Sequence, residues 1–150
     1  MGNATNPDKV LINSYTGFED VEYTHYMAIP WYSRNIINVN AINEISPFSL
    51  GYWFYNEQSL KSSNLNNLNW KNVTNMGYTY YNCRNLTGSP VCGEKVTSME
   101  STYYNCYNLT GSPVCGDNVT SMYSTYRNCY NLSSNGYFYS SKVSNIRGCF

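Results

Sequence analysis

The second half of this chain repeats itself. Residues 72–94 (NVTNMGYTYYNCRNLTGSPVCGE), 95–117 (KVTSMESTYYNCYNLTGSPVCGD) and 118–141 (NVTSMYSTYRNCYNLSSNGYFYSS) are near-copies set 23 residues apart, and a truncated fourth, KVSNIRGCF, fills 142–150. A weaker copy precedes them. In SPFSLGYWFYNEQSL (46–60), Pro47, Leu50, Phe54 and Leu60 stand where Val73, Met76, Tyr80 and Leu86 stand later. Repetition at about 20–29 residues is the signature of stacked supersecondary units, and it outranks any generic fold assignment. One unit of this size has too few apolar side chains to offset the entropy of ordering it, so the copies must bury one another.

Within each copy the apolar residues recur at fixed offsets: Val73, Met76, Tyr80, Cys83 and Leu86; Val96, Met99, Tyr103, Cys106 and Leu109; Val119, Met122, Tyr126, Cys129 and Leu132. Spacings of three and four predict one face of a short helical turn, with Thr79, Thr102 and Thr125 also facing inward and Thr74 placed to cap it. TGSPVCG cannot continue a helix. It predicts a corner, a brief extended segment at 90–92 and a second corner at Gly93. The expected fold class is therefore an α/β solenoid, a short stack of about four 23-residue coils over residues 46–150 (units 46–71, 72–94, 95–117, 118–141 and the partial 142–150).

The pattern Val-x-x-Met-x-x-x-Tyr-Tyr-Asn-Cys-x-Asn-Leu resembles the BspA-type leucine-rich-repeat surface proteins, strongly over 72–133 and more loosely from 46 to 150. The chain departs from that family where a Leu-Asp-Leu-type strand is expected, carrying TGSPVCG instead. The resemblance implies a leucine-rich-repeat stack without enzymatic activity or cofactor. It also implies one of two settings, a bacterial surface adhesin or a bacteriophage structural protein.

Composition narrows the partners. Lys and Arg total 9, Asp and Glu total 9, the formal net charge is zero, and no basic run occurs, so a nucleic-acid backbone is not an expected partner. No apolar run approaches the length of a membrane span, and MGNATNPDKV lacks the basic and apolar regions of a signal peptide. That start points to a virion component assembled in the bacterial cytoplasm. A cell-surface location is the alternative.

The six cysteines offer little chemistry. Cys83, Cys106 and Cys129 share one repeat position, Cys92 and Cys115 another, and Cys149 lies in the partial copy. Spacings of nine and fourteen residues do not suit a zinc site, and His25 is the only histidine. Small apolar thiols filling the core are expected at 83, 106 and 129. A bridge down the 92/115 column is sterically conceivable. A convergent acid, base and nucleophile are missing from the pattern, so no catalytic residue and no metal are expected.

Residues 1–45 do not follow the repeat, and strands or irregular structure are predicted there. They read either as a cap over an open apolar end or as an attachment and oligomerisation module. Glu19, Asp20 and Glu22 near His25 read as a solvated turn.

The candidate binding face comes from the repeat itself. If Tyr80, Tyr103 and Tyr126 point inward, then Tyr81, Tyr104 and Arg127 point out, as do Arg84, Tyr107 and Tyr130. These two files set phenol rings beside guanidinium groups. Glu100 and Tyr123, with Gly77, form a third set that varies between copies, and Tyr78, Ser101 and Ser124 form a fourth. Such variation fits a recognition surface for protein, glycan or host receptor, and it fits drift on a solvated face equally well. Asn82, Asn105 and Asn128, and likewise Asn85, Asn108 and Asn131, are expected to form amide ladders. The function expected is a structural and recognition role in an oligomer or larger virion assembly.

Overall fold

The structure, a computed structural model, describes residues 9–12, 29, 32, 35–41, 44–133 and 140–150. Glu19, Asp20, Glu22 and His25, and most of the 1–45 segment, lie outside the described residues.

Three short strands, β1 (Lys9–Ile12), β2 (Asn38–Ala41) and β3 (Ser62–Asn64), form one parallel sheet in the order β1-β2-β3. Val39 sits opposite Val10 on one side and Ser63 on the other. Alternation along β2 buries Val39 and Ala41, the period expected of a half-buried strand. The outward Asn38 accepts a hydrogen bond from Ser62 Oγ at 2.7 Å. The sheet thus ties the N-terminal segment to the 46–71 unit. A single 3-10 turn, Trp70–Asn72, follows, capped by the Asn69 side chain accepting from Lys71 N at 3.1 Å.

The expected α/β leucine-rich-repeat solenoid is overturned. Among the described residues there is no α-helix, and the only multi-residue strand pairing is the β1-β2-β3 sheet, which the repeats do not build. The reason is in the backbone. Each copy carries two left-handed residues four apart inside the predicted helical stretch: Tyr52 and Asn56, Tyr78 and Asn82, Ser101 and Asn105, Ser124 and Asn128, all with φ between 50° and 64°. A left-handed residue ends a right-handed helix. It is instead what the third position of a type II turn requires. The stretch from Val73 to Leu86 is a run of turns: two reversals of this kind, with Thr79 N donating to Met76 O across Tyr78 and Cys83 N to Tyr80 O across Asn82, and a third turn without a left-handed residue, Leu86 N to Cys83 O. Consecutive turns bring apolar residues round every three or four positions, so the helical spacing was real and the helix was not.

The predicted strand at 90–92 is absent too. Pro90 has no N–H to give a ladder. The segment is held by tyrosine instead: the Tyr103 hydroxyl accepts from Val91 N (2.9 Å) and donates to Val91 O (3.1 Å), and Tyr126 grips Val114 the same way at 3.0 and 2.8 Å.

Between copies the contacts run turn to turn. Alternate amides skip their own turn and donate to the following copy: Met76 N to Ser98 O, Tyr78 N to Glu100 O, Tyr80 N to Thr102 O and Asn82 N to Tyr104 O. Single parallel bridges pair Ser49 with Asn75, Asn75 with Ser98, Ser98 with Ser121 and Ser121 with Asn145. This register places equivalent side chains beside one another. Met76, Met99 and Met122 are fully buried, as are Val73, Val96 and Val119. Phe54, Tyr80, Tyr103 and Tyr126 form an inner file with ring centroids 5.2, 5.3 and 5.5 Å apart. Thr102 and Thr125 lie inside and donate to Met76 O and Met99 O, both at 2.8 Å, which satisfies hydroxyls that would otherwise be costly to bury. Leu132 is only half-buried.

Candidate functional site: a tyrosine and arginine face

The same turns that bury one tyrosine of each pair turn its neighbour outward. Tyr81 and Tyr104 are half-buried with rings 4.8 Å apart and 13° from parallel. Arg127, at the equivalent position one copy later, is exposed and holds its guanidinium 5.9 Å from the Tyr104 ring centroid. Three residues on, the second file mirrors the first: the Arg84 guanidinium lies 5.8 Å from the Tyr107 ring, and Tyr107 faces Tyr130 at 5.7 Å. Tyr130 is 73% exposed. Both files expected from the sequence are therefore continuous, each ending in a cation over a ring. A stacked ring pair contributes roughly 0.5–1.5 kcal/mol beyond its buried area and an exposed cation–ring contact about 0.5–1 kcal/mol. The files are ordered without needing a ligand to order them.

The first file is longer than the sequence reading supposed. Tyr55 packs on Tyr81 at 5.1 Å and 12°. Beside it, Tyr52 packs on Tyr78 at 5.0 Å and 4°, and the two pairs meet edgewise through Tyr52 with Tyr55 and Tyr78 with Tyr81. The missed signal was available. Aligning Phe54 with Tyr80 also aligns Tyr52 with Tyr78 and Tyr55 with Tyr81.

Glu100 and Tyr123 are both half-buried. Glu100 Oε1 accepts from the Tyr78 hydroxyl at 2.9 Å, and burial together with that carboxylate holds the Tyr78 phenol well above its usual range. Glu100 thus fastens the fourth set to the third. That fourth set is not an outward one: Ser101 and Ser124 are 4% and 3% exposed. Both sit at left-handed backbone positions and are buried rather than turned to solvent.

Asparagine plays two parts. Asn128 Nδ2 donates to Asn105 Oδ1 at 2.7 Å and Asn105 Nδ2 to Asn82 Oδ1 at 2.6 Å, a side-chain ladder running from copy to copy. Asn85, Asn108 and Asn131 donate instead to the backbone oxygens of Gln58, Arg84 and Tyr107. The first set also occupies the left-handed positions, where asparagine is penalised less than other residues with a side chain.

All six cysteines are free thiols. Cys83, Cys106 and Cys129 donate to the carbonyl oxygens of Phe54, Tyr80 and Tyr103 at 3.0, 3.1 and 2.9 Å. Burial raises the pKa of Cys83 and Cys106 well above the ordinary thiol value and pushes Cys129 up to about 12 and Cys92 up to about 11. Thiols held protonated are poor nucleophiles and poor metal ligands. Among the described residues, no group of three or more His, Cys, Asp or Glu side chains could hold a metal ion. Also among them, no helix is long and apolar enough to cross a membrane.

Comparison of the chain with family models, curated proteins and solved structures finds no match.

Proposed function

We propose that this chain is a non-enzymatic structural and recognition protein, and that its tyrosine and arginine files are the surface that meets a partner. The file from Tyr55 through Tyr81 and Tyr104 to Arg127 is the observation that carries this reading. Tyrosine and arginine are the side chains most suited to interface anchoring, since each offers a broad apolar face with a polar end. Here they are already ordered by packing on one another, so binding sacrifices little side-chain entropy. Outward positions differ from copy to copy while inward ones repeat, which suits a surface read along its length.

The setting follows from the repeat resemblance. A bacteriophage virion component of the tail or head fibre type, part of a homo-oligomer or larger assembly and used for assembly or host binding, is the first reading. A bacterial cell-surface adhesin for host protein or glycan is the second. The two separate by mass in native solution: a trimer or higher oligomer fits the virion, and a monomer that adheres to host cells fits the adhesin. Changing Tyr104, Tyr107 and Tyr130 together to Ser tests the face in either setting. Adsorption to host cells should fall at least tenfold. The melting temperature should also fall, because two stacked pairs and two cation–ring contacts are lost, so adsorption is compared at a temperature where the variant is folded. Unchanged adsorption would remove the face from consideration.

A further inference from the structure

A second candidate site lies away from the outer tyrosine and arginine files, in a cleft of about 540 Å³ beneath β3 that Tyr80 and Tyr103 of the inner file help to line. Its origin is a difference between copies. Where Tyr103 and Tyr126 close their hydroxyls onto the backbone of Val91 and Val114, the residue twelve before Tyr80 is Leu68, and the segment there reads SSNLNNL rather than GSPVCG. Residues 62–64 leave the repeat path to form β3. Among the described residues the Tyr80 hydroxyl consequently pairs with Ser63 Oγ alone, at 2.8 Å, and Tyr80 lines an open cleft.

The lining has a definite chemistry. Leu65, Leu86 and Leu109 supply apolar surface, and Trp70 supplies an indole. Trp70 packs against Gly93, where an added Cβ would come within 2.6 Å of the indole Cε3, so the ring is positioned by a residue that only glycine can be. Ser62, Ser63, Asn66, Thr87 and Ser89 line the same cleft; the Ser62 and Thr87 hydroxyls donate to Asn38 Oδ1 and Lys61 O, and the Ser63 hydroxyl pairs with Tyr80. Every lining residue among the described residues is uncharged at neutral pH: there is no Asp, Glu, Lys, Arg or His among them. Val91, 44% exposed, borders the opening.

We infer that this cleft binds a neutral saccharide. A sugar ring has an apolar C–H face, which an indole and leucines accommodate, and an equatorial edge of hydroxyls, which Ser89 and Asn66 can donate to and accept from and which Ser62 and Thr87, whose own hydrogens are engaged, can accept from. The cleft volume falls inside the roughly 300–1,000 Å³ of small-molecule sites. The described lining offers no counter-charge, which disfavours ionic sugars, whose carboxylates or sulfates would lose hydration uncompensated. None of the tyrosine or arginine residues of the outer files lines the cleft, so this site stands apart from the face proposed above.

The test is binding of the intact chain to an immobilised panel of neutral oligosaccharides (gluco-, galacto-, manno- and N-acetylglucosamine-based) with sialylated and sulfated counterparts, followed by calorimetry with the best neutral one. Retention of at least one neutral glycan is expected. Asn66→Trp, an exposed residue enlarged to fill the cleft, should lower that affinity at least tenfold. Trp70→Ala should do the same, with folding of each variant checked by its melting curve. Tyr130→Ser, outside the cleft, should change it less than twofold, which separates this site from the outer face. Retention of anionic glycans only, no neutral retention with the free sugar at about 1–10 mM, or equal binding by Asn66→Trp would each overturn the assignment.

Discussion

The first unit, 46–71, and the copies at 72–133 share one half and differ in the other. In both, the turn-forming half carries the same left-handed pair, Tyr52 and Asn56 in one and Tyr78 and Asn82 in the next, and the same fully buried core residues, Leu50 and Phe54 against Met76 and Tyr80. The returning half differs. The copies at 72–94 and 95–117 return through GSPVCG, pinned to a tyrosine hydroxyl, whereas the first unit returns through β3 and the 3-10 turn at Trp70–Asn72. A buried Glu57 also stands where Cys83 stands later, its carboxylate accepting from Ile36 N at 3.2 Å. Turn geometry plus one apolar file is enough to place a copy against its neighbour. The return segment is free to be replaced, and where it is replaced, a cleft opens.

The largest effect should come from the shared half. Met99→Ala and Leu50→Ala remove fully buried side chains at equivalent positions, and each should cost about 2–5 kcal/mol of unfolding free energy, measured by urea titration. Clearly unequal costs would show that the first unit is not packed as the others are.

Alkaline pH should separate the regions more finely. The unfolded thiols lose their protons near the ordinary thiol value of 9.0, while in the folded chain burial keeps Cys83, Cys106 and Cys129 protonated to higher pH. Above pH 9 the unfolded state therefore binds fewer protons than the folded one, and stability falls as pH rises, by up to about 1.4 kcal/mol per pH unit for each fully shifted thiol. Below pH 9 these groups contribute no pH dependence. Hydrogen exchange from pH 9 to 10.5, corrected for the intrinsic rate, should show protection lost first at 99–109 and 122–129 and later at 50–57, where Glu57 replaces the thiol. Uniform loss would mean that the regions unfold as one unit.

Asn105→Ala should act more weakly. It forces alanine into a left-handed position and breaks the amide ladder at its middle, costing about 1–2 kcal/mol. Asn105→Gly, which keeps the backbone and loses only the ladder, should cost less. Equal costs for the two would assign the whole effect to the amide.

Much of this was legible in the residues. Repetition at 23 positions identified Val, Met, Tyr, Cys and Leu as interior, and all but Leu132 of those in the three copies are buried. It also identified Tyr81, Tyr104 and Arg127, and Arg84, Tyr107 and Tyr130, as outward files, and their rings and guanidinium groups do line up. The helix was misread because apolar spacing reports how often the chain comes back to the core, and consecutive turns return as often as a helix does. The asparagines at 56, 82, 105 and 128 were the available warning, since a residue tolerant of positive φ at a fixed place in every copy marks a reversal. Ser101 and Ser124 were misplaced for the same reason.

What the sequence determined alone is which of the repeated apolar residues face in, because copies in register bury the same set each time; Ser101 and Ser124 show that it did not do so for the small polar ones. What tertiary structure alone decided is where the backbone amides go and where space is left over. Met76 N and Tyr80 N find partners twenty-odd residues away, and the cleft under β3 exists because two segments distant in sequence fail to close on each other. Neither a long-range hydrogen bond nor a gap in packing has a local signature in the order of residues.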